Sequence, residues 1–315
     1  MLEEMKSKFP LSYEIYRIMK TEYAVHKAQK KAIRIHNMSN EELMAYDANL
    51  YKKWMGRDLD WNNLQTFTEK MQWAKLFDDD PRKVICADKY AVRSWVKEKI
   101  GEEYLIPLLG KWERYSEINF DSLPERFVIK TNHGSGDAII VRNKSRMTFD
   151  EKLEMRRKIK AALRTDFGAH LCEMHYSKIS PLIIAEKYLE SGEEYLRDYK
   201  FQCFDGKIAF CYVDIDRFTK HRRNVYDRNW NLLDWNTGNY ENSLMPIEKP
   251  QNYDEMIEVV EKLANNFTQI RIDLYNVCGK LYFGEMTFTP ASGFHQFTSY
   301  EADKALGKLW NLKMI

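Results

Sequence analysis

The sequence predicts an α+β fold, with helices and antiparallel hairpins kept in separate stretches of chain. Three observations carry that reading. Helix-opening capping boxes recur at Ser39–Glu42, Thr66–Glu69 and Thr148–Glu151; in each, the hydroxyl and the Glu carboxylate satisfy orphan N–H groups. Paired β runs meet at tight turns, around Asp205-Gly206 and near Cys278-Gly279. From Ile270 onward apolar and polar residues alternate, the pattern of a sheet with one apolar face.

The elements follow in order. Residues 1–62 are rich in Lys, Tyr and Met and read as a helical N-terminal extension. The box at Thr66 opens a helix that carries Met71, Trp73, Ala74 and Phe77, and the turn Asp78-Asp-Asp-Pro81 ends it. A further helix is expected from near Asp88 to Ile100, with Gly101 as its stop. Phe127–Thr131 and Asp137–Val141 read as strands around the small-residue turn His133-Gly-Ser-Gly136. The box at Thr148 opens a helix to about Thr165, and Pro181–Tyr188 reads as a buried strand. A hairpin over Tyr199–Val213 follows, then a helix over Asp254–Phe267, then the hairpin from Ile270 to Thr289. The expected division is 1–62, 63–185 and 186–315.

Composition excludes several classes. Forty-four per cent apolar residues in 315 is ample for a core, in one large domain or two subdomains. A net charge of +2, from 49 basic and 47 acidic side chains, gives no global footprint for nucleic acid. Cysteines 86, 172, 203, 211 and 278 are odd in number and lack CxxC spacing, which points to reduced thiols. The start MLEEMKSKFP has no apolar signal core, and no apolar run reaches the ~20 residues of a membrane span. A cytoplasmic protein without a transmembrane segment is the expectation.

The last hairpin holds the sharpest chemistry. A turn near Cys278 or Gly279 places Asp273 opposite Glu285 to within one residue, with Thr287 on the face of Glu285. Two like charges ~4 Å apart cost ~4 kcal/mol at an effective dielectric near 20. A divalent ion removes that cost, and hard oxygen donors suit Mg²⁺; two solvated carboxylates on an exposed face are the alternative. Lys130 lies in a strand otherwise made of Phe, Val and Ile, where lysine calls for an anionic partner. Small residues three positions later let backbone N–H groups approach phosphate oxygens, although no GxxxxGK[ST] occurs and an ordinary hairpin turn would look the same. Ile183–Leu189 is an apolar strand with a charged and aromatic end, a place where a purine can lie flat or simply where a core strand stops.

The order of these signals resembles that of the TupA-like ATP-grasp proteins of teichuronopeptide and capsular polysaccharide biosynthesis. The resemblance runs from about Phe67 to Phe297. It is carried by FTEKMQWAKLFDDDP (67–81), ADKY (87–90), FVIKTNHGSGD (127–137), IIAEKYLE (183–190), RDYKFQCFDGKI (197–208), DIDRFTKHRRNVYD (214–227) and RIDLYNVCGKLYFGEMTFTPASGF (271–294). It implies an ATP-grasp fold, two α+β subdomains clamping ATP, behind the helical extension. On that resemblance Lys89 and Lys130 neutralise the ATP phosphates. His133, Gly134, Ser135 and Gly136 form the loop over them, and Glu186, Lys187, Tyr188 and Leu189 form the adenine hinge. Lys200 is similar to a phosphate-contacting cation. Asp273 and Glu285 would hold Mg²⁺. Many relatives carry Asn where this chain has Thr287, which stands as a third candidate ligand.

Arg217, Arg222 and Arg223 are expected in a loop, and Arg271 beside the metal hairpin. Planar guanidinium groups bind carboxylate and phosphate through paired hydrogen bonds. Arg271, Arg217 and Arg223 are therefore candidate catalytic groups; Arg222, Ser292 and Gly293 are candidate contacts to the acceptor. The implied activity is an ATP- and Mg²⁺-dependent carboxylate–amine ligase acting through an acyl phosphate. Its partners would be a uronic acid of a surface polysaccharide or its precursor and an amine donor, with peripheral association with a polysaccharide-assembly complex left open. Two other readings stand beside it: a glycosyltransferase using Asp214-Ile-Asp216, and an ATP-binding scaffold without turnover.

Overall fold

The computed structural model describes residues 10–190, 196–215, 221–238, 240–243 and 245–312. In chain order the helices are α1 (Pro10–His36), α2 (Asn40–Met55), α3 (Phe67–Phe77), α4 (Pro81–Ala87), α5 (Val92–Lys99), α6 (Phe149–Leu163), α7 (Met174–Ser177), α8 (Tyr253–Ala264) and α9 (Tyr300–Leu309). The strands are β1 (Leu108–Trp112), β2 (Phe127–Thr131), β3 (Ile139–Val141), β4 (Ile183–Lys187), β5 (Asp198–Phe204), β6 (Lys207–Ile215), β7 (Arg222–Tyr226), β8 (Gln269–Val277) and β9 (Lys280–Thr287). They form two wholly antiparallel sheets, ordered β1-β4-β2-β3 and β7-β6-β5-β8-β9. The class is α+β, as the segregated helices and hairpins predict.

The chain divides into two compact units that interleave along the sequence. The first takes Met1–Asn40, Pro107–His170 and Tyr176–Tyr188; the second takes Glu41–Ile106, Leu171–His175 and Leu189–Ile315. The expected segments 1–62, 63–185 and 186–315 follow one another, whereas the chain passes between units at residues 40, 106, 170, 175 and 188. The near-neutral total hides an asymmetry. The first unit holds 23 basic and 14 acidic side chains, net +9, and the second 26 and 33, net −7.

In the first unit, Phe127, Ile129, Val141, Ile183 and Ala185 of the sheet pack with Met155 and Ile159 of α6. Thr148 and Glu151 complete the expected capping box at the start of α6. Helix α1 lies along α6, with Arg157 Nη1 donating to Thr21 Oγ1 at 2.8 Å and Arg164 reaching both carboxylate oxygens of Glu22 at 2.7 and 2.9 Å.

In the second unit, Phe67 and Met71 of α3 join Phe204, Phe210, Tyr212, Leu306 and Trp310 in one core. The box Thr66–Glu69 forms as expected. Asp303 of α9 accepts from Thr68 N at 2.9 Å and Thr68 Oγ1 at 2.6 Å, which ties α9 to the start of α3. Helix α8 covers the opposite side of the sheet with Met256, Val260 and Leu263.

Four local expectations change. A helix that the sequence reading lacks, α4, precedes the one expected from Asp88 to Ile100, which itself begins at Val92; Asp80 caps α4 by accepting from Arg82 N, with Pro81 as the first helical residue. Asp88 then accepts from Tyr90 N at 2.7 Å and holds a turn before α5. Arg222 and Arg223 belong to a strand instead of a loop, β7 pairing with β6. Strand β1 has no counterpart in the sequence reading, and β3 begins at Ile139, not Asp137. Among the described residues no helix is long and apolar enough to cross a membrane.

Candidate active site

Each unit brings its own set of candidate residues together. In the first, β2 lies between β4 and β3, and Val128 pairs with Glu186 while Lys130 pairs with Ile184. Residues two apart share a face, so Lys130 and Glu186 are diagonal neighbours. Lys130 Nζ lies 2.6 Å from Glu186 Oε2, with the two side chains 17% and 9% exposed. The anionic partner that Lys130 requires is thus Glu186.

The turn after β2 is anchored at its roots and open at its tip. Asp137 Oδ2 accepts from Thr131 N at 2.7 Å and Thr131 Oγ1 at 2.5 Å. Asn132 Oδ1 accepts from Leu182 N at 2.7 Å, and its amide donates to Ser180 O at 3.0 Å. His133 and Gly134 are buried, His133 with Nε2 3.3 Å from Thr165 O, whereas Ser135 and Gly136 are exposed. Asn132 and Asp137 were not singled out from sequence; the signal was a pair of short polar side chains flanking glycines, the usual turn formers. At the end of β4, Lys187 N donates to Pro107 O at 2.9 Å, Lys187 is exposed, and Tyr188 is half-buried. Leu189 is buried and belongs to the second unit.

The second unit carries a charged sheet face. Register aligns Tyr212, Lys200, Asp273 and Glu285 in one row across β6, β5, β8 and β9. Asp273 pairs directly with Glu285, and Arg271 with Thr287. A β-bulge falls between Asp273 and Leu274, with Gly284 as the extra residue of β9. A Cβ at Gly284 would lie 3.0 Å from Asp273 O and 3.3 Å from the Tyr275 ring, so glycine is what this approach admits. The bulge is the device that keeps Glu285 on the face of Asp273, and the glycine inside LYFGEMT was its signal.

Arg271 is the hub of this face. Its Nε and Nη2 donate to the two oxygens of Asp273 at 2.6 and 2.8 Å. Nη2 also reaches Glu285 Oε1 at 2.6 Å and Thr287 Oγ1 at 3.1 Å, and Nη1 reaches Tyr212 Oη at 3.2 Å. Thr287 donates to Glu285 Oε1 at 3.0 Å. Lys200 is not a surface lysine: it is buried, bonded to Asp198, and 3.1 Å from Asp273 Oδ2. Lys89 lies in the turn between α4 and α5 and acts on Glu285 through its charge.

The two carboxylates respond differently. Burial raises the Asp273 carboxyl to about 6, against the pull of Arg271 and Lys200. Burial also opposes ionisation of Glu285, but Arg271, Lys89 and Lys200 outweigh it and hold that carboxyl at about 2. Asp273 is closed off, whereas the Glu285 side chain is 38% exposed, so the face opens at Glu285. Among the described residues no group of three or more His, Cys, Asp or Glu forms a metal cluster. Two carboxylates and a hydroxyl on one face fit a hard dication that keeps waters and takes phosphate oxygens. Asp273 and Glu285 would hold it. The Thr287 hydroxyl, which receives from Arg271 and donates to Glu285, braces the pair.

The remaining candidates are placed as follows. Arg223 is buried and clamps Asp214, Nε to Oδ1 at 2.7 Å and Nη2 to Oδ2 at 3.1 Å, between the rings of Tyr212 and Tyr240. His221 Nε2 lies 3.1 Å from Asp214 Oδ1. Asp214 is thus already engaged, and Arg222 stands half-buried at the head of β7. Arg217 and Asp216 lie outside the described residues. Ser292 and Gly293 sit in a turn after β9 where Ala291, Ser292 and Gly293 take φ of 49°, 55° and 77°. A Cβ at Gly293 would meet Met71 Cγ and Gln72 Nε2 at 2.7 Å, and Gln72 donates to Gly293 O at 2.7 Å. Ser292 Oγ donates to Glu173 Oε2 at 2.8 Å, and Thr289 also bonds Glu173. Glu173 is buried, and burial raises its pKa. It was missed from sequence, since nothing local marks a glutamate whose partners lie over a hundred residues on.

Comparison with known proteins adds the following. The family model described as TupA-like ATPgrasp matches residues 69–311. Among solved structures, D-alanine–D-alanine ligase from Bacillus anthracis is similar at 19% identity and a TM-score of 0.37, over 65% of this chain and 57% of that one. The ATP-grasp ligase PsnB with its minimal precursor gives 10% identity and 0.39, over 73% and 61%. N5-carboxyaminoimidazole synthetase from Staphylococcus aureus gives 13% and 0.35, over 64% and 44%. The chain spans less than two thirds of the length of each. Among curated proteins, none matches the chain.

Proposed function

The chain belongs to the TupA-like ATP-grasp family, and we propose that it is an ATP- and Mg²⁺-dependent carboxylate–amine ligase. The observation that carries this reading is the in-register array of Arg271, Asp273, Glu285 and Thr287 on one sheet face. Amide formation from a carboxylate is uphill in water and needs activation. An acceptor carboxylate oxygen attacks the γ-phosphorus of ATP; the new O–P bond forms as the bond to the ADP oxygen breaks. An amine then attacks the acyl carbon, phosphate leaves, and the amine proton passes to solvent. A bound Mg²⁺ supplies neutralisation of charge on the transferring phosphoryl group.

The chain's own groups do the rest. Asp273 and Glu285 supply the metal's carboxylates, and Lys200 and Arg271 keep that charge in place. Arg271 presents a fixed guanidinium where negative charge develops. Lys130 exchanges its partner Glu186 for phosphate oxygens, and the open tip at Ser135 and Gly136 brings N–H groups to them. Glu186 to Leu189 offer backbone groups to the purine edge, with Lys89 a further phosphate contact. Arg222, Ser292 and Gly293 are assigned to the acceptor and Arg223 to positioning it. The acceptor is a uronic acid of a bacterial surface polysaccharide or its precursor, an assignment that rests on the likeness to teichuronopeptide and capsule proteins. The reaction is placed in the cytoplasm, where ATP is available.

Phosphate release tests the reading. With ATP, Mg²⁺, a uronic acid and an amine, release should require all four and fall by on the order of a hundredfold in Asp273→Ala. Unchanged release in that variant removes the metal assignment. Consumption of a sugar nucleotide in place of ATP would favour the glycosyltransferase, and nucleotide binding without turnover over a panel of acceptors would favour the scaffold.

A further inference from the structure

Helix α1 carries an apolar stripe at seven-residue spacing, Leu11, Ile18, Val25 and Ala32, and only its second half is covered. Val25, Ala32 and Ile35 are buried. Leu11, Ile15, Ile18 and Met19 are 75, 49, 48 and 66% exposed. Their spacing, i, i+4, i+7 and i+8, puts them on a single face. Scattered apolar residues on a surface need no explanation, but a contiguous aliphatic stripe does.

Charge says what covers it. Lys20, Lys27, Lys30 and Arg34 are exposed on the same helix. Its only acids are Glu14 and Glu22, and Glu22 is bonded to Arg164. The unit that carries α1 has a net charge of +9, and the other unit −7. A second copy docking through α1 would bring +9 against +9. A nucleic acid would use the lysines and leave four aliphatic side chains in water. An anionic bilayer takes both: headgroups pair with the bases while the stripe enters the acyl boundary. Among the described residues no helix can cross a membrane, so the contact is in the plane of the surface.

We propose that α1 is a peripheral anchor that lays this protein on an anionic phospholipid surface. The inference is separate from the ligase reading, since it uses none of the residues assigned to ATP, metal or acceptor.

Co-sedimentation of the full chain with vesicles tests it. Binding is expected to mixed phosphatidylglycerol–phosphatidylcholine vesicles, to weaken with salt, and to be absent on phosphatidylcholine alone. Both a Leu11→Ser/Ile15→Ser/Met19→Ser variant and a Lys20→Gln/Lys27→Gln/Lys30→Gln variant should bind about tenfold or more weakly. Circular dichroism checks that each remains folded. A Met19→Trp variant gives a readout that does not depend on the triple variants: its fluorescence should be quenched by brominated lipid. Several results overturn the proposal. They are no binding to anionic vesicles, binding that ignores the serine variant, no quenching in the Met19→Trp variant, or a dimer in solution that the serine variant dissociates. Polynucleotide binding that displaces the vesicles and ignores the serine variant also overturns it.

Discussion

The two units differ in how much of their charge they bury. In the first, ion pairs such as Arg164–Glu22 (44 and 53% exposed) and His36–Asp166 (45 and 23%) lie at the surface, and the excess is basic. In the second, Lys75–Asp47 is fully buried, and Arg223–Asp214, Lys200–Asp273 and Arg271–Asp273 are nearly so. Exposed pairs are screened and contribute little to stability. Buried pairs lose solvation, and removing one member leaves an uncompensated charge. Both units carry exposed pairs, Lys97–Glu102 and Lys262–Glu258 among those of the second, but the second adds a buried network that holds charged groups in fixed geometry. On the first unit Lys130–Glu186 is a largely buried pair, and it is the pair assigned there to the nucleotide.

The largest effect should come from Arg271→Met. It leaves Asp273 buried without its guanidinium partner, which costs about 3–5 kcal/mol of stability. Phosphate release should fall by on the order of 10²–10³ even where the protein stays folded. Arg271→Lys keeps the charge but not the paired hydrogen bonds, so it should recover much of the stability and little of the rate. Urea unfolding read beside phosphate release separates the two losses. A methionine variant with wild-type unfolding would break the comparison at its centre, because the buried network would then be dispensable.

How much of this was legible depends on where each partner sits. The capping boxes at Thr66 and Thr148 read directly, since both partners are three residues apart. The Asp273–Glu285 pairing was read to within one residue because a hairpin is local; its completion needed the bulge at Gly284, whose cause is contact with Asp273 O across the ladder. Strand β7 was read as a loop because RRNVY looks polar until Asp214, on another strand, neutralises Arg223. Strand β1 contains glycine and is only half-buried, so no alternation marks it. The interleaving of the units was hidden for the same reason as Glu173. Helix α1 finds its partners on α6, some 140 residues later, and no local pattern records that.

A middle-sized effect should follow pH. Burial works against ionisation of Asp214, but hydrogen bonds and charge from Arg223, helped by Lys200 and His221, outweigh it and hold its pKa below the ordinary value. A carboxylate depressed in this way stabilises the fold above its unfolded pKa of about 4 and loses that contribution as pH falls through the folded value. Arg223→Met should therefore be least stable relative to wild type at pH 7, with the gap narrowing below pH ~4. Melting temperatures of both proteins over that range give the answer. A gap independent of pH would mean that Arg223 acts through its packing between Tyr212 and Tyr240 and not through Asp214.

The smallest effect belongs to Glu22→Gln. The pair is bidentate, with Arg164 at 2.7 and 2.9 Å, so by geometry it resembles the Arg223–Asp214 clamp. Exposure is what separates them, because water competes for both Glu22 and Arg164 and salt screens them. The melting temperature should move by no more than about 2 °C, and α1 should stay helical by circular dichroism. Binding to anionic vesicles should rise slightly, because the substitution removes one of two acids from a basic helix. A large loss of stability would show that surface pairs hold α1 to α6, and exposure would no longer explain why the two units differ.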